Sequence, residues 1–590
     1  MLTKFTTDVL IVGGGTGGST AAIQCARRGV QTIIVSEFSW LGGMLTAAGV
    51  AAPDGSELIS LQTGIWGEYL KELRSRQKGG LDHSWVSLFT YEPRIGAEIF
   101  ADWVKDLPNL QWISGQTPVE VLKEGDREVS PKENRITGVR FQDYEIEAKI
   151  TLDGTELGDL LALGEIPHRW GWELRTEFNE PSAPEAYNEL CDRYPVQSPT
   201  WVFLLQDYGH KAPEIPAPAV DISQQFSGAW KGYGKQKFLN YGRFPNDLFM
   251  LNWPQKGNDY GENLNRLIGS KEEKNEFLKE AKEYSLGFAH FIQTRIDKRY
   301  GLAQNAFPSP SDGAFALMPY FRESRRLQGL ETIIEADILP MSGGNTAALP
   351  RNSQGEVNAI AVGNYANDHH YPGVKFNLQP KSMPWGGRWT GTPFTIPYDT
   401  LIPVATDGFI VCEKNISVSH IANGSTRLQP MVMAIGQAAG MAAALCIESN
   451  CQPRELPIRD LQEALLTNNH AVIPLLNLPP NHPEWLQWQR YYLDRPEEYS
   501  KEGICACSSA FSSEREMGEY FRGTFRKIGE NSYRIRLGDR AEKKQIWQLI
   551  TTRPEVNEKL QHCQNEREIS VWGWRNFSGG WFLLEKLVIH

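Results

Sequence analysis

The segment DVLIVGGGTGGSTAAIQCARRGVQTIIVSE, residues 8–37, constrains the fold more than any other part of the chain. Asp8–Val12 reads as a buried parallel strand. Gly13, Gly15 and Gly18 then form G-x-G-x-x-G, with Thr16 and Gly17 inside it. Ser19–Arg28 has helical spacing, Gly29 ends the helix, Val30–Ser36 is a second strand, and Glu37 closes it. In such a unit the first glycine permits a tight turn, the second lets the backbone approach a pyrophosphate, and the third allows close helix–strand packing. The helix N-terminus presents free N–H groups and a positive dipole end to the phosphates. Glu37 can accept from both ribose hydroxyls, and its charge would repel a 2′-phosphate. A glycine-rich turn without a ligand is the bland alternative. Strand, glycines, helix, strand and acid in this order favour a dinucleotide-binding unit, and they leave NAD and FAD both open.

The chain has 590 residues, enough for several domains at roughly 150 residues each. Its net charge of −11 argues against nucleic acid as the main partner. The 8 Cys are scattered, and Cys505 and Cys507 form a lone C-x-C, so no metal site is expected. No C-x-x-C occurs, which disfavours disulfide reductase chemistry. The N-terminus, MLTKFTTDVLIVGGG, enters a strand pattern at once and leaves no room for a signal peptide. A cytoplasmic protein is expected.

Leu41-Gly42-Gly43-Met44-Leu45-Thr46 follows the second strand directly. This resembles the FAD-dependent oxidoreductases of the glutathione-reductase-like fold, in the broad group of fumarate reductase and succinate dehydrogenase flavoproteins. There a Gly-Gly pair after the ribose-binding acid lets the backbone run along the flavin diphosphate, and Gly42, Gly43 and Thr46 match it. Further matches follow in order: RITGVRF (135–141) is similar to the family's small β-meander, and DGTELGD (153–159) to its usual Asp-Ala-Thr-Gly stretch. Residues 322–326, 368–370 and 415–444 also match recurring patterns. The resemblance implies FAD as cofactor, with contacts at Gly13, Gly15, Thr16, Gly17, Gly18, Glu37, Gly42, Gly43, Met44, Thr46, Val119 and Gly436. Two departures stand out. Gly154 stands where Ala is common, with Glu156 after the threonine, and Cys412-Glu413 stands where the family usually has Ala-Gly beside the cofactor.

An apolar run, Met431–Ile447, contains GQAAGMAAAL (436–445). It reads as a membrane span, a buried core helix, or a helix against a cofactor. A span needs about 20 strongly apolar residues, whereas this run is shorter, includes Gln437, and is largely Ala and Gly. No membrane span is therefore expected. Pro430 opens the helix, and the small residues would let it lie against the N-terminal unit. The resemblance points the start of this helix at the flavin pyrimidine edge, where its dipole would stabilise reduced flavin.

The expected fold class is α/β. A discontinuous Rossmann-like FAD-binding domain takes residues 1–165 and 336–470. An inserted α+β substrate or cap domain, rich in aromatics and proline, takes 166–335 and contains a long helix pattern, Glu272–Arg299. Residues 471–515 form a proline-marked connector with a helical arm. Residues 516–590 form a small OB-like β module, with a hairpin in YFRGTFRKIGENSYRIRLG and helix and turn in RAEKKQIWQLITTRPEVNEKLQHC.

No nucleophile elbow, zinc spacing or Walker loop occurs. Flavin would carry the hydride, and protein groups would orient substrate and move a proton. The candidates are His420 and Arg427, then His369 and Arg322, with His370, Glu323 and Arg325 behind them. The His420…Arg427 stretch resembles, with longer spacing, the HGxxR segment of fumarate-reductase-like proteins, whose Arg binds a substrate carboxylate. Arg suits a carboxylate through bidentate bonding, and His suits proton transfer near neutrality. The structural alternatives are hydrogen-bonded histidines and, for Arg322, Arg325 and Arg326, a salt-bridged helix end. Two functions stay open. One is an FAD-dependent dehydrogenase or oxidase moving a hydride between a small organic substrate and flavin. The other is a non-metabolic flavoprotein, electron-transferring or RNA-associated, that docks through its C-terminal module. The electron acceptor and self-association are left open.

Overall fold

The computed structural model describes residues 2–124, 134–308, 313–379, 382–508, 518–537 and 545–590. The expected 515/516 boundary lies outside the described residues.

Val9, Leu10, Ile11 and Val12 are all buried, as a continuous apolar run buried on both faces requires. They end β1 (Thr3–Val12), which pairs in parallel with β2 (Thr32–Ser36) across helix α1 (Thr16–Arg27). β2 pairs in parallel with β3 (Leu110–Ser114). β4 (Pro118–Glu124), β5 (Arg135–Phe141) and β6 (Tyr144–Asp153) form an antiparallel meander whose last strand returns parallel to β1. The sheet order is β3-β2-β1-β6-β5-β4. Far downstream, β7 (Phe409–Val411) adds in parallel to the end of β6, so this sheet takes strands from two separated pieces of chain.

Helix α2 (Gly64–Arg76) follows the Gly42–Gly43 bend, and the long α3 (Lys271–Arg295) matches the helix pattern of the sequence. Ser270 and Glu273 close a capping box at the start of α3. That helix stops short of the expected Arg299, where the chain turns into the strand Tyr300–Leu302. This strand lies beside Phe203–Asp207 and Leu248–Leu251 in a three-stranded sheet. Residues 322–326 do not form a helix end: the segment is extended, and Arg326–Leu327 pairs with His168–Arg169.

Helix α4 (His420–Thr426) leads into α5 (Gln429–Ser449), with Pro430 in its first turn as expected. α5 packs along α1 and α2. A Cβ at Gly436 would lie 2.2 Å from the Gly17 carbonyl oxygen, and one at Gly440 would lie 2.3 Å from that of Ala21. The small residues therefore serve a close helix–helix contact. By length and composition α5 could cross a membrane, but 89% of its most apolar window is buried inside the protein.

β8 (Glu519–Gly529), β9 (Ser532–Leu537), β10 (Gln545–Ile550), β11 (Glu568–Asn576) and β12 (Trp581–Ile589) close into a barrel of order β8-β9-β10-β12-β11. Helix α6 (Pro554–His562) lies between β10 and β11 in sequence. QIWQLI thus forms a strand rather than part of a helix, because Trp547 and Leu549 alternate into the barrel core. The barrel docks on the body through Asp82, which accepts hydrogen bonds from Asn576 (2.6 Å) and Trp581 (3.0 Å). Burial pushes the Asp82 carboxyl up to about 6 against these two bonds.

Candidate active site

A cleft open to solvent lies where the parallel strands end. Gly13, Gly14 and Gly15 after β1, Ser36 and Glu37 after β2, and Thr155 and Glu156 after β6 line it, and Trp201, Met318 and Phe321 wall its far end. This is the crevice at the carboxyl ends of strands where open α/β sheets bind ligands. Gly13 has φ +108°, and a Cβ there would lie 2.2 Å from the Gly154 carbonyl oxygen. Only glycine permits that turn at that distance.

The expected cofactor residues divide into two sets. Gly13, Gly15 and Glu37 face the cleft. Thr16, Gly42, Gly43, Met44 and Thr46 pack behind it: the Thr16 hydroxyl donates to the Gly42 carbonyl at 2.9 Å, and the Thr46 hydroxyl to that of Leu41. Val119 is 54% exposed on β4, whereas its neighbours Gln116, Thr117 and Pro118 line the cleft. Gly17 and Gly18 sit in the first turn of α1, and Gly436 contacts that helix rather than the cleft. A Cβ at Gly18 would lie 2.2 Å from the Gly13 carbonyl oxygen, which is the expected close packing.

At the N-terminus of α1, the Gly17 N–H donates to Glu413 Oε2 at 2.7 Å. Lys414 Nζ reaches Glu413 Oε1 at 3.2 Å and also bonds Glu156. Burial pushes the Glu413 carboxyl up to about 7, although Lys414 opposes the shift.

Across the 317–322 strip lies a polar cluster. Leu317, Met318, Pro319 and Phe321 line the cleft, while Tyr320 and Arg322 bond into the cluster. Arg427 donates to the Tyr320 hydroxyl at 2.6 Å and to the Asp368 carbonyl at 3.1 Å. Arg322 donates to the Thr200 hydroxyl at 2.8 Å and pairs with Asp259 at 3.1 Å. His370 bridges Asp259 (2.7 Å) and Asp368 (2.8 Å). Asp368 keeps 45% of its side-chain surface open.

A second chain of bonds runs through the histidines. His369 Nε2 faces the Ile421 carbonyl at 3.0 Å and must donate, so its Nδ1 accepts from Tyr371 at 2.7 Å. The Tyr371 oxygen then accepts from His420 Nε2 at 2.6 Å, and His420 Nδ1 faces Glu323 at 2.8 Å. Burial, reinforced by His420, holds the His369 pKa well below its usual value. The Trp172 ring lies tilted against the His420 ring, 3.9 Å between centroids. Arg326, fully buried, ties the floor together through Glu173 (2.8 Å) and Glu323 (3.2 Å), and Glu173 accepts from the His420 N–H at 2.7 Å. The four expected catalytic residues, His420, Arg427, His369 and Arg322, thus meet in one place.

The FAD dependent oxidoreductase family profile matches residues 8–465. The chain belongs to that family. It is an FAD-dependent oxidoreductase enzyme, and FAD is its cofactor. No curated protein matches the oxidoreductase significantly. Among solved structures it is similar to THI4 of Thermovibrio ammonificans, with 18% identity over 28% of this chain and 67% of that one, at a TM-score of 0.22. It is also similar to GidA of Aquifex aeolicus (17% identity, 25% of each chain, TM-score 0.18). A geranylgeranyl bacteriochlorophyll reductase-like protein of Thermoplasma acidophilum aligns more widely (11% identity, 84% of this chain and 89% of that one, TM-score 0.31). At such scores these likenesses carry no argument about chemistry.

The chemistry of the cleft suits FAD at its adenosine end, where Glu37 stands at the end of β2 and a glycine turn precedes a helix N-terminus. Sequence reasoning missed Glu173, Asp259, Tyr320 and Tyr371, each a single residue without a motif around it. The loop 252–264 holding Asp259 reads from sequence as a turn-forming loop, with a plain connection favoured over a ligand-binding one.

The Asp259–His370–Asp368 chain has a pH signature. Burial and Arg322 oppose protonation of His370, but the two aspartates outweigh them and raise its pKa above 6.5. Burial opposes ionisation of Asp368 and Asp259, but the cations around them, His370 and Arg322 on both and Arg427 on Asp368, hold both below 3.8. Stability from the raised His is complete below 6.5 and is lost as pH rises through the folded value. Stability from the aspartates is complete above 3.8 and is lost as pH falls through their folded values. His370→Gln should therefore lower the melting temperature most between about pH 4 and 6.5, and less at pH 9. Thermal melts across that range check this; an equal gap at every pH would show that the chain carries no charge.

Proposed function

We propose that this enzyme transfers a hydride between a small polar organic substrate and FAD, and that the polar cluster beyond the 317–322 strip receives the substrate. The observation that carries the reading is the cluster's position: Tyr320 and Arg322 join it, while Pro319 and Phe321 between them line the cofactor cleft. Bound FAD supplies the hydride acceptor or donor.

The chain's own residues do the rest. Gly13, Gly15 and Glu37 hold the adenosine diphosphate end. Arg427, fixed by Tyr320 and Asp368, orients an oxygen function or carboxylate of the substrate. His420 moves a proton, with Glu323 orienting its ring and Tyr371 and His369 continuing the path. Trp172 over the His420 ring keeps water from that face.

Residues 166–335 act as the substrate cap in this reading, since they supply Trp201 to the cleft and Asp259 and Arg322 to the cluster. The C-terminal barrel is OB-like: its strand order and the helix before the fourth strand support that description. None of its described residues lines the cleft.

Anaerobic mixing of the FAD-loaded protein with a panel of hydroxy acids, amino acids, amines and polyols tests the function. Bleaching of the flavin by one class identifies the substrate. No bleaching by any class, in a protein that dithionite reduces normally, would count against a dehydrogenase or oxidase.

A further inference from the structure

We infer that Glu413 is a built-in occupant of the diphosphate seat, and that FAD enters only when this carboxylate leaves the N-terminus of α1. The inference rests on FAD using the cleft described above.

The first N–H groups of a helix have no partner within it. In α1 the Gly17 N–H is taken by Glu413 Oε2 at 2.7 Å. A Cβ built on Gly15 would lie 2.6 Å from that same oxygen, so the carboxylate lies directly on the glycine turn. Lys414 holds the other carboxylate oxygen and links it to Glu156. Glu156 Oε1 in turn comes within 2.7 Å of where a Cβ on Gly43 would be. Glu413 and Lys414 have no exposed side-chain surface, and Glu156 keeps 14%. One carboxylate, one ammonium and a second carboxylate thus fill the ground between the turn after β1 and the Gly42–Gly43 bend.

A carboxylate and a phosphate satisfy a helix N-terminus by the same means, N–H donation and the positive dipole end. They cannot share one seat, because like charges repel and a single N–H serves one acceptor well. Rotation of Glu413 away from α1 would free both the Gly17 N–H and the Lys414 ammonium for phosphate oxygens.

The test is direct titration of the full-length apoprotein with FAD, ADP and adenosine, in the wild type, Glu413→Gly and Glu413→Gln. Charge-assisted hydrogen bonds of this kind and the lost repulsion set the scale at about tenfold or more. Expected is FAD and ADP binding at least about tenfold tighter in Glu413→Gly, an intermediate gain in Glu413→Gln, and unchanged adenosine binding. Glu413→Gly should also melt lower without FAD and gain the larger shift when FAD is added. Equal or weaker FAD and ADP binding in both variants, with native far-UV circular dichroism, would overturn the inference. So would failure of all three proteins to bind FAD, or an equal gain for adenosine.

Discussion

Arg427→Ala should slow anaerobic flavin reduction by substrate between roughly 30-fold and several thousand-fold, while FAD stays bound. The range follows from the cost of truncating one partner of a buried, hydrogen-bonded charge pair, about 2–5 kcal/mol. Arg427 is 1% exposed, bonds Tyr320 and the Asp368 backbone, and caps the C-terminus of α4, two residues before α5 begins. Burial opposes its charge, but Tyr320 and Asp368 keep it a cation. Arg427→Lys keeps the charge and loses the planar fork, so it should recover only part of the rate. His420→Gln should cost about 10²–10⁴ in the same step, the usual contribution of a positioned acid or base. Rapid-mixing absorbance at the flavin band measures both. Wild-type reduction rates in Arg427→Ala and His420→Gln would assign the two residues to the scaffold.

The largest loss of stability is expected at Arg326. Its guanidinium is fully buried and serves Glu173, Glu323 and the carbonyls of Val418 and Gly171. Arg326→Met would take the guanidinium from two buried carboxylates, leaving Glu323 with His420 and Glu173 with the more distant Arg169, at a cost of about 3–5 kcal/mol. Glu173 and Glu323 also hold the backbone and ring of His420, so the same change should disturb the proton path. The double variant Arg326→Met/Glu173→Leu should recover much of the stability, because an apolar pair of similar volume avoids the desolvation penalty. Thermal and urea unfolding of the single and double variants checks this. A single variant as stable as the wild type would contradict a stabilising role for the Arg326 guanidinium.

The N-terminal unit was legible because every step of it has a local cause. The apolar run of β1, the glycine turn, the small residues of α1 and the acid after β2 each follow from neighbours in sequence. The close approach of the small residues around Gly436 to the N-terminal unit was legible too, but not that Gly436 meets the Gly17 carbonyl, more than 400 residues away, in place of the cofactor cleft. The structural alternative for Arg322 and Arg326 in the sequence is a salt-bridged helix end, yet both are buried in extended chain and pair with acids at 173 and 259 that no spacing links to them. The strand Gln545–Ile550 was hidden by the polar, helix-favouring residues before it, and period-two burial decided it. The departures at Glu156 and Glu413 were visible as letters, but that both meet Lys414 at the glycine turn is a property of the fold.

The central claim is a cleft that takes FAD through the glycine turn and Glu37. Equilibrium dialysis of the apoprotein against FAD and against NAD, each up to saturation, tests it most directly. Expected is saturable, stoichiometric uptake of FAD that gives a yellow protein, little uptake of NAD, and weakened FAD binding in Glu37→Ala. A protein that stays colourless at saturating FAD, or one that takes up NAD in its place, would contradict it.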